Sequence, residues 1–164
     1  MSIGLAAGAN GGSRDVILAL IAGENGGTSK PLASTAFKGH PLVLYFYPKD
    51  DTTGCTKQGQ DFRDAYAAFR AAGAAVVGVS RDDVASHAKF KAKYNFPFPL
   101  LADVEGTLSD AYGVWVEKSM YGRKYMGIER ITFLIDGAGA VRTVWRKVKV
   151  EGHVAEVLAA VRAL

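Results

Sequence analysis

The chain reads as an α/β fold, a mixed central β-sheet flanked by helices, and three observations predict it. Two short apolar runs rich in β-formers, "PLVLYFY" (41–47) and "AAVVGVS" (74–80), have the composition of strands buried on both faces. Helical spacing follows each of them, so strand–helix–strand units and parallel pairing are expected. Near the C-terminus "RITFLID" (130–136) and "AVRTVWRKV" (140–148) are joined by "GAG", which predicts an antiparallel pair at the sheet's edge.

The elements follow in order. "DVILALIA" (15–22) is a short strand, and "GENGGTSKP" after it is hairpin-turn chemistry. This glycine-rich segment does not make a phosphate loop. The spacing from Gly23 leads to Thr28 rather than to a Gly-Lys pair, and Lys30 is followed by Pro31. After the strand at 41–47, Phe62, Tyr66 and Phe69 form an apolar stripe, and Gly73 stops that helix. "RDDVASHAKFKAKYN" (81–95) is a helix opened by acidic residues and closed near Asn95. "FPFPLLAD" (96–103), with two prolines, is extended and ends in a short strand. "GTLSDAYG" (106–113) is a short helix, and "HVAEVLAAVRAL" (153–164) is a closing amphipathic one. The predicted order is β, turn, β, β, helix, β, helix, β, helix, a hairpin and a final helix. No repeat or linker divides it, so one domain over 1–164 is expected, with 1–14 flexible or lightly packed.

Composition narrows the function classes. A chain of 164 residues, 49% hydrophobic and 22% charged, has the profile of a soluble globular protein with a core of its own. The net charge of +4 comes from dispersed basic residues, which suits a solvated surface better than a nucleic-acid interface. No apolar run has the length of a membrane span, and the N-terminal segment lacks the basic and apolar regions of a secretory leader. A single cysteine allows no internal disulfide, which makes a reducing cytoplasm the expected setting. His40, His87 and His153 are isolated in sequence, so neither a metal site nor a Cys-His hydrolase is expected.

The chemistry concentrates in "YPKDDTTGCTKQGQDF" (47–62), which contains the one cysteine, Cys55. It stands where a buried strand passes through a polar loop into a helix. Free amides and the macrodipole at a helix N-terminus favour negative charge, so a thiol there is acidified and made nucleophilic. An inert packed cysteine is the competing reading. The small and polar neighbours Asp50, Asp51, Thr52, Thr53, Gly54 and Thr56 favour the reactive one. Thr52 taken alone is a turn residue capping the helix, and Arg130 taken alone is a surface arginine at a strand end.

Pro48, Thr52 and Cys55 form P-x-x-x-T-x-x-C, the active-site motif of the peroxiredoxins. "LVLYFYPKDDTTGCTKQGQDFRD", "FPLLAD", "YGVW", "KSMYGRKYMGIERITFLID" and "GHVAEVL" follow in family order across residues 37–164. In these segments the chain resembles the bacterioferritin comigratory protein, or peroxiredoxin Q, branch. The resemblance implies a thioredoxin-like fold, no cofactor, and reduction of hydrogen peroxide and organic hydroperoxides. It implies that Cys55 is the peroxidatic cysteine, attacking the terminal peroxide oxygen to leave a sulfenic acid. By the same match Thr52 would orient the peroxide and hydrogen-bond the thiolate, and Arg130 would lie against the sulfur and lower its pKa. Pro48 would shield the pocket, and the backbone N–H groups of Gly54 and Cys55 would bind peroxide oxygens. Tyr121 and Tyr125 are expected to cover the pocket or an interface.

The chain departs from the branch in three places. Gln60 stands where many members carry a resolving cysteine, Thr53 stands where proline is usual, and the family's Ala-Pro-x-Phe segment is missing before about residue 36. The resemblance therefore implies a one-cysteine mechanism in which an external thiol, thioredoxin, glutaredoxin or a small thiol such as glutathione, reduces the sulfenate. Members of the branch are often monomers, and the same is expected here. Two other functions stay open: a redox sensor or partner-binding protein that oxidises at Cys55 with little turnover, and a structural relative with an unreactive cysteine.

Overall fold

The computed structural model describes residues 17–21, 30–33 and 37–164. Among these residues the elements are, in chain order, β1 (Ile17–Ile21), β2 (Lys30–Ala33), β3 (Leu42–Phe46), α1 (Thr53–Ala71), β4 (Ala75–Ser80), α2 (Val84–Tyr94) and β5 (Leu100–Ala102). They continue with α3 (Thr107–Ala111), β6 (Trp115–Met120), β7 (Arg123–Ile128), β8 (Ile131–Ile135), β9 (Val141–Trp145) and α4 (His153–Arg162). A seven-stranded sheet runs β2-β1-β5-β4-β3-β8-β9, and β6 and β7 form a separate two-stranded ribbon. The central strands β3, β4 and β5 are parallel, while β8 and β1 add antiparallel neighbours on either side. The mixed sheet flanked by helices is the thioredoxin-like arrangement that the family resemblance implies.

Strand β3 is apolar at every position because both its faces are covered. Leu42, Leu44 and Phe46 pack with Leu108, Tyr112 and Phe133, whereas Val43 and Tyr45 pack with Phe62, Phe69, Phe90 and Val157. Each such side chain contributes roughly 1.5–3 kcal/mol on leaving water. The crossovers β3-α1-β4 and β4-α2-β5 step along the sheet in one direction. Right-handed connections therefore place α1 and α2 on the same face, and α4 joins them in that core.

The helix boundaries follow local signals. Phe62 and Phe69 of α1 are buried, and Gly73 takes φ +80° just past the Ala72 cap. At the start of α2 the Asp83 side chain accepts from Ser86 N–H, and at its end Asn95 adopts the left-handed conformation.

Two features differ from the sequence expectation. Strand β2 extends into the segment read as a turn, taking in Lys30 and Pro31. Since β2 is the outermost strand, a residue without an N–H is tolerated there. Between 114 and 129, where no element was expected, lies the β6–β7 hairpin. Its two-residue turn has Tyr121 at φ +52° and Gly122 at φ +78°, the geometry of a type I′ turn. The strand at 15–22 is present as β1, but residues 23–29 of the turn segment and residues 1–14 lie outside the described residues. Among the described residues no helix is long and apolar enough to cross a membrane.

Candidate active site

Beyond β3 the chain leaves the sheet at Tyr47 and Pro48 and enters α1 at Thr53, so the loop between them sets where the helix begins. Two consecutive aspartates fasten this loop to α2. Asp50 accepts from Tyr47 OH at 2.7 Å and from Ser86 Oγ at 2.8 Å, and its backbone N–H donates to Asp82 Oδ2 at 2.9 Å. His87 Nδ1 lies 2.6 Å from Asp50 Oδ2, and its Nε2 lies 2.8 Å from the Leu101 carbonyl oxygen. A carbonyl only accepts, so Nε2 donates to Leu101 while Nδ1 faces the Asp50 carboxylate. Asp51, at φ +57°, accepts from Lys93 Nζ at 2.8 Å and Tyr94 OH at 2.9 Å. Those two bonds, Lys93 first, hold its carboxyl below the usual range.

The ligand atoms of Asp50, Asp82 and His87 lie within 4.8 Å of one another. They are already hydrogen-bonded among themselves and to Tyr47, Ser80 and Ser86, and the grouping reads as a loop anchor.

Cys55 sits in the first turn of α1 and is 2% exposed. The helical ladder opens with Thr56 N–H donating to Thr52 O at 2.8 Å. The amides of Thr53, Gly54 and Cys55 therefore precede the ladder and point their positive ends out of the helix start. Arg130 arrives from the junction of β7 and β8, 75 positions away in sequence, and its Nη2 lies 3.4 Å from Cys55 Sγ. Its backbone is tied down by Val148 N–H, which donates to Arg130 O at 2.9 Å. A Cβ added at Gly54 would lie 3.0 Å from Nη2, so the absence of a side chain there lets the guanidinium approach.

Of the other residues singled out in the sequence, Pro48 is half-buried in the loop before α1 and Gln60 is half-buried on α1. Thr52 is the N-cap residue, but its side chain makes no capping bond, which corrects the capping expectation. The hydroxyl donates instead to the Lys49 carbonyl oxygen at 2.9 Å, so its one proton is not given to the Cys55 sulfur, which corrects that expectation, and its lone pairs are left free to accept. Tyr121 covers no pocket: at the tip of the β6–β7 hairpin it is 99% exposed. Tyr125 is exposed on the same hairpin.

Three neighbours escaped the sequence reading. Gln58 is completely buried, and its Oε1 accepts from Arg130 Nη1 at 2.7 Å. Its i, i+3 spacing from Cys55 is a legible signal, since it puts both on one helix face. The Asp50–His87 pair joins residues 37 positions apart and has no local signature. His153, at the start of α4, lies 2.8 Å from Thr132 Oγ1. Burial first, and then the charge of Arg130, lower its pKa to about 4. On the remaining sides, burial and then negative charge at Cys55 push the Tyr45 phenol well up. Partial burial and then Arg130 pull the Lys118 ammonium down. Free helix amides and a guanidinium thus converge on the sulfur, an arrangement that can support negative charge on an oxygen it attacks.

Residues 19–144 match the model of the AhpC/TSA family. The putative peroxiredoxin bcp of Coxiella burnetii is 55% identical over 121 residues, covering 74% of this chain and 80% of that protein. Peroxiredoxin Bcp of Bacillus subtilis is 51% identical over 136 residues, covering 83% and 85%. Among solved structures, Xanthomonas campestris peroxiredoxin Q superposes with a TM-score of 0.78 at 50% identity, covering 88% of this chain and 89% of that one. A structure of the bacterioferritin comigratory protein from the same organism, concerned with its alkyl peroxide reduction activity, gives 0.78 at 49% identity, with 88% and 90% covered. The chain belongs to the AhpC/TSA family, and within it to the Bcp, or peroxiredoxin Q, thiol-dependent peroxidases.

Proposed function

We propose that this chain reduces hydrogen peroxide and organic hydroperoxides by a one-cysteine mechanism in which Cys55 is the peroxidatic residue. The observation that carries the reading is the Arg130 guanidinium 3.4 Å from a sulfur held in the first turn of a helix. A permanent cation and free amides together favour the thiolate. The alkyl peroxide reduction of the Xanthomonas relative supports the substrate class.

The Cys55 thiolate attacks the terminal oxygen of ROOH. The S–O bond forms as the O–O bond breaks, and the departing RO⁻ takes a proton to leave as alcohol, or as water when R is hydrogen. Arg130 stabilises the charge that moves from sulfur to the leaving oxygen. The amides of Gly54 and Cys55 hold the peroxide oxygens. Thr52, whose own proton is engaged by the Lys49 carbonyl, accepts the hydroperoxide O–H and orients it. Pro48 fixes the loop and shields the pocket.

The product is a sulfenic acid at Cys55, and these 164 residues contain no other cysteine to condense with it. An external thiol R′SH attacks the sulfenate, releasing water and forming a mixed disulfide. A second thiol then releases R′SSR′ and restores the Cys55 thiol. Thioredoxin, glutaredoxin and glutathione supply that chemistry in a reducing cytoplasm, where we place the protein.

Cys55→Ser is expected to abolish hydroperoxide consumption, and turnover surviving in that variant would end the proposal. With each of the three reductants in excess, the wild-type chain should consume many equivalents of peroxide. Consumption that stops after one equivalent with every reductant would identify a sensor instead.

A further inference from the structure

The side chain that orients Arg130 is neutral, and the fold bears a penalty to keep it so. Gln58 is 0% exposed and lies one turn beyond Cys55 on α1. A guanidinium offers only donors, so the amide atom facing Arg130 Nη1 at 2.7 Å is the oxygen. That orientation leaves Gln58 Nε2 buried with no acceptor among the described residues, an uncompensated desolvation. A carboxylate of the same shape would meet Arg130 with no orphaned donor. Among the described residues, however, no carboxylate lies within ion-pair distance of this guanidinium.

We propose that Gln58 is a positioning residue for peroxide reduction: its amide oxygen holds Arg130 against the Cys55 sulfur while adding no charge. The guanidinium is then fixed in place by one group and electrostatically committed to another. Its positive charge falls on the thiolate and on the oxygen anion that leaves it, and is not shared with an acid. The role rests on the peroxidase reading above. Among the described residues, the other titratable groups that feel charge at the sulfur are Lys118 from β6 and Tyr45 from β3, and neither is altered in the test.

The experiment compares the intact wild-type chain with Q58E and Q58M. Cys55 is titrated by its thiolate absorbance, and a single oxidation by hydrogen peroxide is timed across pH. With one cysteine in the sequence, the titration has a single source. In Q58E a carboxylate roughly 6 Å from the sulfur is expected to move the thiol midpoint upward by about one to two pH units. Oxidation near about pH 6 should slow roughly tenfold or more, and recover above the new midpoint.

Q58M keeps the site neutral but removes the acceptor. Its midpoint should move less than that of Q58E, while oxidation slows at every pH. A Q58E midpoint coincident with wild type, or a Q58M shift as large as that of Q58E, would overturn the role of neutrality. If Q58E fails to fold, Q58M still decides the positioning role, because wild-type oxidation rates in Q58M would refute it. The titration needs no turnover, so a wild-type chain that consumes no peroxide would defeat the peroxidase reading and leave this comparison interpretable.

Discussion

Replacing Gly54 by alanine separates the stability of the site from its chemistry. Gly54 is inside α1 without a positive φ, so the backbone accepts an L-residue, and alanine in a helix is favoured over glycine by roughly 0.5–1 kcal/mol. The new Cβ would lie 3.0 Å from Arg130 Nη2 and 3.8 Å from its Cζ. Ordinary contact begins at about 3.4 Å, so the guanidinium must retreat by roughly 0.4 Å. Gln58 holds the other side of the group, and the retreat therefore comes out of the 3.4 Å approach to Cys55 Sγ. Lengthening that separation to about 3.8 Å weakens the attraction by about 0.5 kcal/mol at an effective dielectric of about 20, roughly a two- to threefold effect on thiolate formation. A comparable loss of support for the leaving oxygen brings the expected decrease in the oxidation rate to roughly fivefold. Stopped-flow oxidation by hydrogen peroxide measures the rate, and denaturant unfolding of the same preparations measures stability. The unfolding midpoint should stay within about 1 kcal/mol of wild type. A Gly54→Ala chain that oxidises within about twofold of the wild-type rate, with its thiol titration unmoved, would refute the steric account.

The remaining predictions concern the groups around the site. His153 is held neutral with a pKa of about 4, below its ordinary value, so the folded chain binds fewer protons than the unfolded one between that value and about 6.5. The resulting stability is fully present above about pH 6.5 and is lost as pH falls toward 4, on the order of 2 kcal/mol after allowance for residual solvent screening. His153→Gln should flatten that part of the urea-midpoint profile, and an unchanged acid slope would count against the assignment. Asp50→Ala strips partners from His87, Tyr47 and Ser86 at once, and should cost about 3 kcal/mol in unfolding free energy. A loss below about 1 kcal/mol would show that the anchor is dispensable.

How far the sequence reached depended on whether the deciding contacts were local. The apolar run at 42–46 was legible because both faces of β3 are covered, and Gly73 and Asn95 marked helix ends through their own backbone preferences. The β6–β7 hairpin escaped because most of its side chains are exposed on both faces, which erases the alternation that identifies a half-buried strand. Its Tyr121-Gly122 turn was the remaining clue. At the site, Cys55 stood out by position and Arg130 only by family resemblance, since no spacing rule joins residues 75 apart. The hydroxyl of Thr52 turns to Lys49 rather than to the helix amides, a choice made by the shape of the loop. Tyr47, Asp50, Ser86 and His87 meet only because α2 crosses the sheet beside that loop, and nothing in the order of residues announces it.

The 2% exposure of Cys55 makes the two halves of the cycle unequal in their demand for space. A hydroperoxide is small and delivers one oxygen to the sulfur. A reducing thiol must bring its own sulfur to bonding distance along the axis of the S–O bond, with a peptide or a protein surface behind it. The helix start that holds the cysteine therefore also restricts the approach of a second sulfur. On the proposed one-cysteine cycle, reduction by a bulky thiol would call for the first turn of α1 or a flanking segment to open, and the frequency of that opening would then limit turnover however abundant the thiol is. A second small peroxide needs less room than a thiol carrying a peptide or protein, so on this proposal the rate of local opening would set how the sulfenic acid divides between return to the cycle and passage to the sulfinic state.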